Sequence, residues 1–586
     1  MHIEKNVCES IIGTLLDIPG KTKDGLNSRL DLVEMGIRQS LAPEKKGERL
    51  YLPPACFTLS KKEKQTVCKS LANMKVPDGY SSNIKNLVNE TELKLMGLKS
   101  HDCHALMQHL LPIAIRSVLP KNVRECLTHV CIFFNRLCGK ELELDKLDAL
   151  HEHVVKTLCN LEKFFPPSFF DIMIHLMVHL VREARLCGPV WARWMYPFER
   201  NMKVLKSYVR NHYRPEACMV ECYISEEAVE FCSEYMAGVE AIGISKPRTD
   251  PDDVDRGLRG KGTMVTVSKL ELDQAQLVVM NNNAEVQPYI TDHMELLQSM
   301  VPRNQKNKQK WVADQHRQTF IGWLRNTIIS KLNEPNHGVS DVLSRIALGP
   351  TFAVAKHEAY IVRGKRFHTK SRDDAREVQN SGIRIVAETM HFASAKDRNP
   401  ILGTMTYYGV IEEIWELNYF AFRIPLFKCS WVDINVGVKT DELGFTLVDL
   451  SKRGSKNDPF IMASQAAQVF YISDPANDKW SIVLSTPERR FLETEEDEEN
   501  ADLCYDDFIV GQPIHEQLMG IDRNIEEDDA EYIRNDINEG IWVNCESGKH
   551  KQKKEKKTCL IGNLIYSLLY IVVVNGPEYL TICLCF

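Results

Sequence analysis

The hydrophobic period of this chain changes along its length, and that change limits what the chain can fold into. Through residues 98–236 apolar side chains recur every three or four positions, the spacing of helices that pack on one face. Between Tyr407 and Leu484 the period falls to two, in the short runs YYGVIEEIWEL, FAFRIPLFKCSWVDI, GFTLVDL, QAAQVFYISD and WSIVLS. Asn, Gly, Asp and Pro separate these runs, as turns separate strands. Strands so short and closely spaced predict a small barrel rather than a sandwich, with Trp415, Trp431, Tyr471 and Trp480 in its core. The expected class is α+β and multidomain: a mainly helical N-terminal half, a small β-barrel-like domain near the C-terminus, then a disordered acidic tail. A length of 586 residues, 44% of them hydrophobic, is ample for several buried cores.

The helical half centres on residues 164–214, FFPPSFFDIMIHLMVHLVREARLCGPVWARWMYPFERNMKVLKSYVRNHYR. Ser168 with Asp171 three residues on has the spacing of a capping box, and Cys187-Gly188-Pro189 ends the helix that follows. That helix is apolar almost all round, which predicts burial. Its polar residues Asp171, His175, His179 and Glu183 lie four apart and share one face. A second helix begins near Pro197, with Phe198, Met202, Leu205 and Val209 as its packing stripe and Glu199, Lys203, Lys206 and Arg210 beside it. His175 and His179 admit two readings: half of a structural zinc site, or a polar seam satisfied inside the core. No Cys-x-x-Cys accompanies them. Glu199 has a bland reading too, as one end of a solvated helix pair with Lys203.

Elsewhere in this half, residues 1–40 predict a helix from Glu4 to Leu16, ended by Pro19-Gly20, and a second amphipathic helix. Thr58-Leu59-Ser60 marks a further helix start. His101, Cys103, His104 and His109 are conceivable transition-metal ligands, but the preferred reading is a cap and then a core helix from Ala105 to Ile115, with Cys103 a small buried residue. No metal is placed there. Residues 121–163 form one or two helices with Cys126, Val130, Phe133, Phe134, Leu137, Leu147, Leu150, Val154, Leu158 and Leu161 inward, and Ser225 caps a later helix over 225–236. MVTVSKLELDQAQLVVM (264–280) reads as a strand and a helix, and His316–Leu332 as an amphipathic helix with Phe320, Trp323, Leu324, Ile328 and Ile329 inward.

A charged fraction of 26% and a net charge of -7 do not mark a nucleic-acid binder, so any DNA contact rests on local patches. YIVRGKRFHTKSR (360–372) interleaves Arg363, Lys365, Arg366, Lys370 and Arg372 with Tyr360 and Phe367, a pattern suited to phosphate contact with stacking. Its alternative is a solvated hairpin turning at Arg363-Gly364-Lys365. Eighteen irregularly spaced cysteines, behind a start without a basic, apolar leader, read as free thiols in a reducing compartment. Residues 246–262 are Pro-, Gly- and charge-rich, as linkers are. Acidic runs at 491–508 and 525–532 read as disordered. After the basic run 549–557 comes CLIGNLIYSLLYIVVV (559–574), a helix of roughly 24 Å against a hydrocarbon core of ~30 Å. It is read either as a tail anchor or as non-native coding sequence.

FFPPSFFDIMIHLMVHL followed by GPVWARWMYPFERNMKVLKSYVRN resembles the C-terminal half of plant CACTA-type (En/Spm-like) transposases, the Tnp2 family. The resemblance begins at MHIEKNVCESIIGTLLDIPGKTKDGLNSRLDL, continues through LKSHDCHALMQHLLPIAIRSVLP, and reaches about residue 484. It implies an RNase H-like catalytic core whose three carboxylates hold two Mg2+ or Mn2+ ions. The Asp expected just before Met1 and an earlier Asp are not in this chain, while the third carboxylate maps to Glu199 and a zinc half-site to His175 and His179. On this reading the chain is a transposon-derived remnant that should not cut DNA, and its first helix, without the catalytic sheet it would rest on, is expected to lack a partner for its apolar face or to pack elsewhere. It further implies segments 1–97 (catalytic remnant), 98–245 (DUF4218-like), 246–400 (linker and accessory), 401–486 (DUF4216-like), 487–557 and 558–586. DNA and other transposon-encoded proteins are the implied partners, in the nucleus, with a membrane as the alternative if 559–574 anchors.

Overall fold

The computed structural model describes residues 1–236, 262–303, 308–334, 338–391, 401–454, 458–486 and 532–544. Its helical body is built from α1 (His2–Leu15), α2 (Leu26–Glu34), α3 (Lys61–Ala72), α4 (Ser100–Ala105), α5 (Leu111–Ala114), α6 (Lys121–Leu137), α7 (Leu144–Phe164) and α8 (Ile172–Cys187). One π-helical turn, Leu106–Leu110, joins α4 to α5. Ser60 starts α3 as the spacing predicts, in a reciprocal capping box with Glu63. The inward leucines and aromatics of α6 and α7 are buried as expected, with Leu158 partly so.

Three local expectations change. Helix α1 does not lack a partner: Val7, Cys8, Ile11, Ile12 and Leu15 are buried, and the helix packs on α4 and α8. The cap of α8 is Asp171, whose carboxylate accepts from the Met173 and Ile174 amides, while Ser168 sits in the preceding 3-10 turn. Only Ile174, Met177, Val181 and Ala184 of α8 are buried, and Ile172 and Leu186 face solvent. An apolar sequence all round a helix therefore did not mean burial all round.

Two more helices follow, α9 (Tyr196–Ser207) and α10 (Pro215–Tyr235). The stripe expected to pack α9 is largely outside, since Phe198 is 61% and Met202 67% exposed. Ser225 is not a cap. It lies inside α10, its hydroxyl bonded back to the Glu221 carbonyl at 2.7 Å.

Four further helices, α11 (Lys269–Asn281), α12 (Gln287–Ser299), α13 (Lys308–Leu332) and α14 (Asp341–Leu348), lie against a sheet. Leu272, Phe320, Leu324 and Ile328 from the helices share a core with Trp415, Tyr419 and Phe460. Ile329, expected inward, is 42% exposed.

The strands are β1 (Glu44–Lys46), β2 (Arg49–Leu52), β3 (Val88–Asn89), β4 (Lys94–Leu95), β5 (Thr263–Thr266), β6 (Ala353–His357), β7 (Ala359–Val362), β8 (Lys365–His368), β9 (Gly382–His391), β10 (Ile401–Asn418), β11 (Arg423–Trp431), β12 (Val438–Thr440), β13 (Thr446–Val448), β14 (Phe460–Met462), β15 (Ala467–Ser473), β16 (Ser481–Ser485) and β17 (Ile541–Asn544). The main sheet runs in the order β12-β13-β16-β15-β9-β10-β11-β14, with β6 on β10 and β5 on β6. Residues before 400 thus contribute β5, β6 and β9 to the same sheet as the strand-rich region, and the described strands do not form a closed barrel. Trp415, Trp431 and Tyr471 are core residues as expected, and Trp480 is partly buried. Gly382 in β9 has no room for a side chain, because a Cβ there would lie 2.3 Å from the Val469 carbonyl oxygen of β15.

The sheet is joined to the helical body. Phe445, Leu447, Phe470, Ile472, Ile482 and Leu484 belong to the same core as α1–α8, with Tyr80 edge-on to Phe470 at 4.7 Å. Arg116, between α5 and α6, bonds Asp441 at 2.6 Å and Asp474 at 3.1 Å.

The segment expected to be a disordered acidic tail contains an ordered piece. β17 pairs antiparallel with β2, Ile541 opposite Leu52, and the Cys56 amide donates to the Tyr532 carbonyl at 2.9 Å. Arg534, 4% exposed at its side chain, bonds Glu63 at 2.7 and 2.9 Å and the Thr58 carbonyl at 3.0 Å. The acidic runs up to 531, the basic run and 559–574 lie outside the described residues, and so does the linker 246–261. Among the described residues no helix is long and apolar enough to cross a membrane. The described cysteines are all free thiols.

Burial alone would raise the Glu63 pKa, but the Arg534 guanidinium and the Ser60 amide and hydroxyl outweigh it and hold it below its ordinary value. A depressed carboxylate stabilises the fold above its unfolded pKa near 4.5, and that contribution disappears as pH falls through the lower folded value. Arg534→Ala is therefore expected to cost about 2–4 kcal/mol in denaturant unfolding at pH 7. The deficit should be smaller when the same curves are measured at pH 3.

Candidate functional site

The residues singled out in 164–214 are brought to the N-terminus of the chain by one aromatic anchor. Trp194, just before α9, is 4% exposed and packs on Cys138. Its ring stands edge-on to His104 at 4.9 Å and to Tyr196 at 5.8 Å. With that string held, α9 starts beside α1, and Glu199 Oε1 lies 3.8 Å from His2 Nε2. Both side chains are more than half exposed, so the contact is worth little energy; its value is positional. Lys203, Lys206 and Arg210 follow Glu199 and are exposed.

Beneath this corner lies a buried polar cluster. Glu4 Oε2 is 2.7 Å from His104 Nδ1, and Gln108 Nε2 donates to Glu4 Oε1 at 3.1 Å. Burial pushes the Glu4 pKa up, but His104 outweighs it and the net direction is down. Burial raises the Cys138 thiol well above its ordinary value, and Glu4 adds to the rise. His101 is pushed down to about 4 and His109 to about 3, each chiefly by burial, so both are neutral near pH 7. Of the four ligand-type residues read in 98–120, only His104 joins the cluster; Cys103 is a buried small residue as expected. Glu4, Gln108 and Cys138 were not picked out. The available signal was Glu4, a carboxylate in register with the apolar positions Cys8 and Ile11 of α1.

His175 and His179 are exposed on α8, with Nε2 atoms 3.2 Å apart. They face one another as a chelating pair would. Among the described residues neither the histidine pair nor Glu199 belongs to a group of three or more metal-ligand side chains.

The basic stretch 360–372 is a hairpin. β7 and β8 meet at Arg363-Gly364, where φ values of 50° and 70° suit a two-residue turn. Tyr360 and Phe367 are buried in the sheet core and cannot stack on a base. Lys365 bonds Thr486 at 2.8 and 2.9 Å, Arg366 pairs with Asp78 at 3.3 Å and Arg372 with Glu358 at 3.5 Å. Arg363 and Lys370 are the exposed cations of the five.

Residues 137–250 match the family model of a domain of unknown function, DUF4218, and residues 415–483 match that of a second, DUF4216. Both domains are common in plant transposase-derived proteins. The two matches point to a transposon-related chain. No curated protein and no solved structure matches it. The first match takes in Cys138, the histidine pair and Glu199; the second takes in β11–β15 and parts of the strands on either side.

The Asp171 carboxylate caps α8 and also bonds Lys23 at 2.9 Å, fixing the helix that carries both histidines. Asp171→Ala is expected to destabilise by about 1–2 kcal/mol in denaturant melts. Asp171→Asn, which keeps a cap acceptor but loses the charge, should recover most of that.

Proposed function

We propose that this chain is the C-terminal part of a CACTA-type transposase, with Glu199 in the place of its third catalytic carboxylate. The supporting observation is the 3.8 Å approach of His2 to Glu199. The resemblance puts one catalytic Asp immediately before the motif that begins at Met1 and the last carboxylate at Glu199. His2 and Glu199 meet although they are 197 residues apart (199 − 2), which supports reading both as flanking one site. Nothing in local sequence demands that proximity; a shared site would.

Glu199 alone cannot hold the two Mg2+ or Mn2+ ions that in-line phosphodiester displacement uses, so residues 1–586 by themselves are proposed not to cleave DNA. DNA contact is the function proposed to remain. Lys203 and Lys206 extend from Glu199 along the exposed side of α9, Arg210 follows just past its end, and Arg363 and Lys370 add charge on the hairpin.

Incubated with duplex DNA and Mg2+ or Mn2+, the chain is expected to leave the DNA intact in a gel assay. Nicking would overturn that expectation. Binding to the same duplex should weaken steeply with salt, and K203A/K206A/R210A should lower the log–log salt slope by about 0.9 for each phosphate contact removed. An unchanged slope would take α9 out of the interface.

A further inference from the structure

Three segments distant in sequence converge on one point in the helical body. Glu4 comes from α1, His104 from α4, and Cys138 is the residue that closes α6. They are 4%, 2% and 3% exposed, and one ligand atom from each lies within 4.8 Å of the others. Carboxylate oxygen, imidazole nitrogen and thiol sulfur together form a set that suits zinc. Magnesium and calcium, which take oxygen shells, would be poorly served by it. A carboxylate and a thiolate also bring two negative charges, which a divalent ion cancels inside the protein.

Gln108 supplies the second observation. It is fully buried, with its amide nitrogen 3.1 Å from Glu4 Oε1 and 2.9 Å from His104 Nδ1. Nδ1 already donates to the Glu4 carboxylate, so two donors, the amide nitrogen and Nδ1, face each other there. Its Oε1 meanwhile meets no donor among the described residues, an expensive state for a buried acceptor. A half-turn of the amide would send the oxygen inward. A cation at the centre would then resolve both mismatches.

We propose that Glu4, His104 and Cys138 hold one zinc ion, with Gln108 Oε1 as the fourth donor. The ion ties α1 to α4 across 100 residues of chain and braces the end of α6. It also sets the floor on which the Trp194 ring stands, and so fixes the start of α9. The site stands on its own geometry and does not require the transposase reading.

The test titrates the purified full chain, stripped with chelator, with Co2+ and with Zn2+. One Co2+ should bind per chain with a thiolate-to-metal charge-transfer band, and one equivalent of Zn2+ should bleach it. Cys138→Ser should abolish that band, while Glu4→Gln should weaken binding at least tenfold. H175A/H179A should leave both unchanged. On the unsubstituted chain, Zn2+ should protect Cys138 from alkylation in mild denaturant, read by peptide mass spectrometry, so the answer does not depend on a variant folding. No bound metal, a band that survives Cys138→Ser, or Cys138 alkylated equally with and without Zn2+ would overturn the proposal.

Discussion

A carboxylate removed from water must be met by partners, and much of the helical body is arranged around how Glu4 is met. His104 and Gln108, one helical turn apart, both reach it. Because Glu4 sits on the buried face of α1, this contact fixes the rotation of that helix and carries Cys8 and Ile11 into the common core. His104 in turn presents its ring to Trp194, and Trp194 decides where α9 begins. Glu199 therefore stands beside His2 through a relay of packing: a buried hydrogen bond, an edge-on aromatic contact, and a helix start. The direct His2–Glu199 contact is too exposed to do that work itself.

The parts of the fold legible in the sequence were those governed by local periodicity and punctuation. Ser60 with Glu63, the leucines of α7, and the strand that precedes α11 followed from spacing alone. Where spacing misled, tertiary context had changed the meaning of an apolar residue. Ile172, Phe198 and Met202 look like core residues and face solvent. Tyr360 and Phe367 look like a stacking platform and are core. The sheet was only half legible, because β9 pairs with β10 although it lies ahead of Tyr407, where the period-two pattern was read to begin. The buried cluster was the least legible, since Glu4, His104 and Cys138 meet through topology and no spacing rule connects them.

The basic residues illustrate how a linear pattern divides in three dimensions. Lys365, Arg366 and Arg372 serve the fold, tying the hairpin to Thr486, Asp78 and Glu358, whereas Arg363 and Lys370 are left to solvent. On α9 and just past it the division runs the other way: Lys203, Lys206 and Arg210 all stay outside. Positive charge available to an external polyanion therefore concentrates beside Glu199 more than on the hairpin.

The pairing of β17 with β2 has a consequence for how the chain is made. The Arg49–Leu52 edge and the acidic partner of Arg534 emerge early from the ribosome, but the strand that covers them ends at Asn544. At typical translation speeds the interval is on the order of a minute. Throughout it the nascent helical body presents an unpaired strand edge, the kind of surface that recruits neighbouring chains. Completion of this domain thus waits on residues 532–544, and a ribosome that stops short of residue 532 releases a body with an open seam.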